Sequence, residues 1–270
     1  CARIGFPQNN ISQFNMKISN SLDLLSVFTY MYYKTYLSPP MKNLLCTALS
    51  LLLILTLQAQ NTETRNVGSF DGLHVSSSFD VSVKIGYRES VLLEISGVDL
   101  NEIRTEVNGG TLKIYRKSKA KNWYKNSKGK IYVTYRELDE IHSSGSADVY
   151  CADPLKARSF EATTSGSGNM ILEDLEADEL MTRISGSSDL EIAGSVETQE
   201  VNISGSGDYD AMDLDCEEAH VRVSGSGNAR ITARESLKAS VSGSGDISYR
   251  GSPDHVDTRT SGSGSVRKVR

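Results

Sequence analysis

SGSGDYDAMDLDCEEAHVRV (residues 204–223) runs directly into SGSGNARITARESLKASV (residues 224–241). Each block opens on the same string and closes on valine. The string also starts as SGSAD at Ser144, SGSGN at Ser165, SGSSD at Ser185, SGSGD at Ser242 and SGSGS at Ser261. The spacings are 21, 20, 19, 20, 18 and 19 residues. A period this regular is the mark of a stacked repeat.

Serine and glycine alone would describe a flexible linker. The flanks exclude it. Ile184, Ile203, Val223 and Val241 stand just before the string. The fifth and seventh residues after its first serine are Met170/Leu172, Leu190/Ile192, Tyr209/Ala211, Ala229/Ile231 and Ile247/Tyr249. Apolar residues alternating with polar ones indicate short, half-buried strands. Each repeat therefore reads as one coil of two or three strands, with SGSG at a corner. Glycine there permits positive φ and close stacking, and serine hydroxyls can bond locally. Coils should stack about 4.8 Å apart through parallel pairing. Right-handed winding follows the rule for parallel crossovers. The expected fold is all-β, a single-stranded right-handed parallel β-helix (β-solenoid) of about 18–21 residues per coil.

The remainder of the chain is consistent with this. Its 270 residues carry 22 glycines but only 5 prolines, which excludes collagen and disfavours proline-rich disorder. A net charge of -5 argues against a general nucleic-acid binder. The 4 cysteines are scattered, with no C-x-x-C pattern. On the stacking register Cys151 and Cys216 lie three rungs apart, about 14 Å, so both should be free thiols.

The N-terminal segment has its own logic. Met41 and Lys42 precede an apolar run of 14 residues, 44–57, and then Gln58-Ala59-Gln60. This is the layout of a secretory signal peptide over 41–60, cleaved after Ala59, and the run is short for a transmembrane span. Residues 1–40 would then be a non-native extension from a mis-assigned start. The mature chain should be exported, to the periplasm or outer cell surface, with no stable transmembrane span. Residues 61–143 lack the string but alternate as strands do, for example Phe79, Val81, Val83 and Ile85. They read as the N-terminal part or cap of the solenoid, and 144–270 as the repeat body.

A signal peptide, then FDGLHVSSSFDVSVKIG (70–86), EVNGGTLKIY (106–115) and the SGSGD/N run resemble the family "putative auto-transporter adhesin, head GIN domain". The resemblance covers roughly 67–270. It implies an exported β-helical protein of Gram-negative bacteria and carries no catalytic residues with it.

Chemistry is sparse. No G-x-S-x-G, G-x-G-x-x-G or P-loop pattern occurs. His74, His142, His220 and His255 stand isolated in sequence, with no second ligand at zinc spacing, so no metal and no cofactor is expected. Asp148, Asn169, Asp189, Asp208, Asn228 and Asp246 should form a vertical column. It reads as turn-forming side chains bonding their own backbone rather than as a weak Ca²⁺ site. Between Arg116 and Lys130 there are seven Lys/Arg and no acid. That segment holds Trp123 and Tyr124, and Lys121 and Lys125 make it a candidate surface-binding loop for glycans or for envelope or host surface components. The leading expectation is a non-enzymatic adhesin or envelope-interaction module. The alternatives are a carbohydrate-active, polysaccharide-cleaving β-helix enzyme and a self-associating structural envelope protein. Neither ligand nor oligomeric state is written in the sequence.

Overall fold

The computed structural model describes residues 61–117 and 127–270, within the compact unit Gln60–Arg270. The expected extension 1–40, the expected signal peptide 41–60, and Lys121, Trp123, Tyr124 and Lys125 lie outside the described residues. Among the described residues no helix is long and apolar enough to cross a membrane.

The chain is a β-solenoid. Its early strands are β1 (Asn61–Asn66), β2 (Gly72–Ser76), β3 (Asp80–Ile85) and β4 (Ser90–Ser96). A 3-10 turn, Leu100–Glu102, leads to β5 (Ile103–Asn108), β6 (Thr111–Arg116) and β7 (Lys128–Tyr135). The repeat begins with β8 (Glu140–Ser143), β9 (Val149–Cys151), β10 (Leu155–Thr164), β11 (Met170–Ile184) and β12 (Leu190–Ile203). It continues through β13 (Tyr209–Ala211), β14 (Leu214–Val223), β15 (Ala229–Thr232) and β16 (Ser236–Gly243). It ends with β17 (Ile247–Arg250), β18 (His255–Gly262) and β19 (Val266–Lys268).

Three parallel faces result. Face A, just before each SGSG, runs β2–β8–β10–β11–β12–β14–β16–β18. Face B, just after it, runs β3–β9–β11–β12–β13–β15–β17–β19. A shorter face C stacks Leu155, Leu175, Gly194 and Leu214. The long strands β11 and β12 bend from B through C to A. Differences in repeat length are absorbed at the corners: β11 carries one more residue than β12 between Leu172 and Leu175, where the register shifts.

Alternation becomes burial in register. On face A, Leu73, Ile141, Ala162, Thr182, Val201 and Val221 stack inward. On face B, Val149, Met170, Leu190, Tyr209, Ala229 and Ile247 do so. Like residues meeting like along each column is what a parallel stack requires. At the C-terminal end the seventh-position column finishes on the exposed Lys268, which pairs with Tyr249.

The first glycine of the string explains why the corner is so constant. A Cβ on Gly205 would sit 2.0 Å from the carbonyl oxygen of Gly186, and one on Gly225 2.1 Å from that of Gly205. The same contact recurs at Gly145, Gly166, Gly186, Gly243 and Gly262. Close approach, not backbone handedness, is the cause: of these seven only Gly262 has positive φ (121°). The fourth position is less strict, holding buried Ala147 and Ser188, and the Ser188 hydroxyl donates to Thr164 Oγ1 at 2.7 Å.

The N-terminal region departs from simple winding. β6 and β7 pair with β2 and β3, whose other edges take β8 and β9. The coil formed by β6 and β7 therefore stacks outside the one formed by β2 and β3, although it comes later in the chain. Antiparallel strands then close this end: β5 on β6, β4 on β7, and β1 on β4. Closure of this kind covers edges that a parallel stack leaves open.

Cys151 and Cys216 are free and buried. Cys151 pairs with Val83 and Leu172, Cys216 with Val196, so the thiols stand in different columns. Burial pushes both thiols up to about 11.

Candidate functional site

The Asp/Asn column is continuous, and its bonding is a correction to the expected turns. Each side chain accepts from the backbone N–H of the next coil, not from its own turn. Asp148 Oδ1 accepts from Asn169 N at 2.8 Å, Asn169 Oδ1 from Asp189 N at 3.0 Å, and Asp189 Oδ1 from Asp208 N at 2.9 Å. Asp208 accepts from Asn228 N at 2.7 Å, Asn228 from Asp246 N at 3.0 Å, and Asp246 from Ser265 N at 2.8 Å. An oxygen at Oδ1 is all the ladder needs, which is why Asp and Asn interchange along it. These bonds tie successive coils where their glycines leave no side chain to pack.

Asp246 offers a pH test of this ladder. The Ser265 hydroxyl and then its N–H hold the Asp246 carboxyl below its ordinary 3.8. A depressed folded-state value means the contribution is present above pH 3.8 and is lost as pH falls through the folded value. In a carboxyl-carbon NMR titration Asp246 should have a midpoint below 3.8, and Ser265→Ala should raise it. A wild-type midpoint at or above 3.8 would show that the rungs are not donating to the carboxylate.

The outward side of face B carries two binding-type features. Tyr132 on β7 and Tyr150 on β9 flank Ser82 on β3 in register. Two rungs place their Cα atoms about 9.6 Å apart, with a small residue as the floor between two aromatic steps. The Tyr150 hydroxyl donates to Glu173 Oε1 at 2.6 Å, and Lys130 Nζ stands 5.9 Å from the Tyr132 ring centre. Further along, Glu191, Asp210, Arg230, Ser248 and Arg267 form one cross-strand row. The Arg230–Asp210 pair (2.6 Å) and the Arg267 Nε–Ser248 Oγ bond (3.2 Å) line a groove of about 800 Å³ beside the Asp/Asn ladder. Hydroxyls, carboxylates and guanidiniums in one groove suit a polyhydroxyl or anionic ligand.

Two of the four histidines are not isolated. Parallel pairing of β2 with β8 sets His74 directly opposite His142, with ring centres 5.1 Å apart. Glu140, two residues before His142 on the same outward face, reaches His74 Nε2 at 2.7 Å. Spacing along the chain cannot reveal this group, because the strands are 66 to 68 residues apart. Burial, and then the neighbouring His74, hold the His142 imidazole below its ordinary 6.5.

The surface-binding loop expected around Trp123 lies between β6 and β7, outside the described residues. Tyr132 and Tyr150 are aromatic groups that sequence reasoning did not single out. Their signal is visible only once β7, β3 and β9 are laid side by side.

A family model described as "Putative auto-transporter adhesin, head GIN domain" matches residues 69–253. No curated protein matches the chain. Among solved structures, a putative adhesin from Bacteroides fragilis is similar with a TM-score of 0.72 and 23% identity, over 78% of this chain and 99% of that one. A "putative lipid binding protein" from Parabacteroides distasonis is similar at 0.63 and 29%, over 79% and 98%. A putative adhesin from Parabacteroides merdae is similar at 0.60 and 19%, over 78% and 96%.

Proposed function

Because the chain belongs to the family described as "Putative auto-transporter adhesin, head GIN domain", we propose that it is an exported, non-enzymatic β-solenoid that binds glycans on an envelope or host surface through face B. The observation that carries this is the Tyr132–Ser82–Tyr150 row. Two aromatic side chains in register on either side of a small residue offer apolar surface to a sugar ring, and the polar groove on the same face supplies donors and acceptors. The expected surface-binding residues Trp123, Tyr124, Lys121 and Lys125, outside the described residues, are proposed as further aromatic and cationic contacts for the same class of ligand.

The test is a glycan array with the wild type and a Tyr132→Ala/Tyr150→Ala double variant. The wild type should show saturable binding to a glycan class, and the double variant should lose about tenfold or more. Incubation with the bound polysaccharides should give no cleavage. Equal binding by both proteins would remove the tyrosine row from the interface. Turnover would replace the binding module with an enzyme.

A further inference from the structure

The cluster His74, Glu140 and His142 goes beyond adhesion. Its ligand-type atoms all lie within 4.8 Å of one another. Two imidazoles and one carboxylate form a donor set that transition-metal cations of the Zn²⁺ class accept, whereas Ca²⁺ and Mg²⁺ call for oxygen alone. Around a tetrahedral Zn²⁺ with bonds near 2.1 Å, neighbouring donors are about 3.4 Å apart. The His74–Glu140 hydrogen bond at 2.7 Å would open by about 0.7 Å, and a separation at the 4.8 Å limit would close by about 1.4 Å. Side-chain rotation alone covers such changes.

The backbone around the cluster is arranged for it. His74 and His142 are a register pair on adjacent parallel strands, so their separation is set by the ladder and not by a loop. Gly72 is the register partner of Glu140, and a Cβ there would lie 3.1 Å from Glu140 Oε2. The missing side chain leaves the carboxylate space to lean across β8 onto β2 and meet His74. The charged groups on the flanking strands are accounted for. Lys113 on β6 is level with His74, and Glu161 on β10 is level with Glu140 but engaged by Arg183 and by Thr163.

We propose that His74, Glu140 and His142 bind one Zn²⁺-class cation on the outer side of face A. Three protein donors leave a fourth position for water or an external ligand. The ion would also link β2 to β8 at the point where spatial order and chain order part company, since the whole β4–β7 excursion lies between them.

The test is calorimetric titration of untagged protein with Zn²⁺. One saturable site per chain is expected. His74→Ala and His142→Ala should each weaken it at least tenfold, and Glu140→Gln should weaken it too. His220→Ala and His255→Ala should leave it unchanged. Because a variant could disturb the stack, the unmutated protein is also titrated with Co²⁺. Visible absorption of a four- or five-coordinate ion, displaced by Zn²⁺, is the expected result. Absence of saturable binding, or binding that survives in folded His74→Ala and His142→Ala variants, would overturn the assignment. The cluster would then be a histidine–carboxylate ion pair only.

Discussion

Gly205→Ala should destabilise the solenoid by about 3 kcal/mol or more, a large effect for one methyl group. The new Cβ would stand 2.0 Å from the Gly186 carbonyl oxygen and 3.0 Å from its carbon, both backbone atoms that cannot rotate away. Relief requires the coils to separate at the corner. That strains Ser206 N–H to Gly186 O at 3.0 Å and the ladder bond from Asp208 N to Asp189 Oδ1 at 2.9 Å. The damage should be local as well as global, because each coil of a solenoid touches only its neighbours. Thermal unfolding should shift down by roughly 6–12 °C for a body of this size. Hydrogen exchange should speed up first in β12, β13 and β14. Gly68→Ala is the control, since nothing lies within 4 Å of its added Cβ, and it should change little. If Gly205→Ala melted with the Gly68→Ala control, close stacking would not be what holds the glycine column.

This glycine column also shows where sequence reasoning succeeds and where it stops. The string at Ser144 through Ser261 is legible because each copy meets the same environment above and below, so the period, the inward alternation and the parallel stack follow together. The cause of the glycines is less legible. Positive φ and close approach both favour glycine in a sequence, and only the 1.8–2.3 Å contacts across the column separate them. The Asp/Asn column was legible as a column, but not its acceptors' partners, since a turn and the next coil offer similar N–H groups.

Contacts that depend on rung order could not be read at all. Nothing in the local pattern of β6 and β7 says that they stack outside β2 and β3, because apolar alternation is the same in either order. The Tyr132–Ser82–Tyr150 row and the His74–Glu140–His142 group both arise from that order. Residues 70–86 supply a member of each: His74 on β2, which sits between β6 and β8, and Ser82 on β3, which sits between β7 and β9. The tyrosine row and the histidine cluster therefore gather at the end where winding is irregular, whereas the polar groove runs along the regular coils from β12 to β19. This fits the general physical point that regular coils are committed to stacking, while irregular ones can present varied side chains.

Tyr209→Ala should be the most costly single truncation in the core, at about 3–5 kcal/mol. Tyr209 is fully buried on face B between Leu190 and Ala229 in register, and burial keeps its phenol protonated well above the usual range. Its bulk compensates for the small Ala229 in the next coil. Its hydroxyl donates to Gln199 Oε1 at 3.1 Å, and Gln199 Nε2 in turn donates to Thr232 O at 3.4 Å. Two costs are thus superimposed, a cavity and an unsatisfied buried carbonyl. Tyr209→Phe isolates the second and should cost about 1–2 kcal/mol. The remainder belongs to the cavity. Ala229→Leu placed with Tyr209→Ala should then recover part of it, because the added side chain enters the vacated volume from the adjacent rung. In the wild type the same Ala229→Leu change should overpack the column and destabilise. Such a reversal of sign, read as a coupling in denaturant melts of the four proteins, is the expected result. Additive effects would show that the two rungs do not share packing volume, and the columnar account of the core would fail.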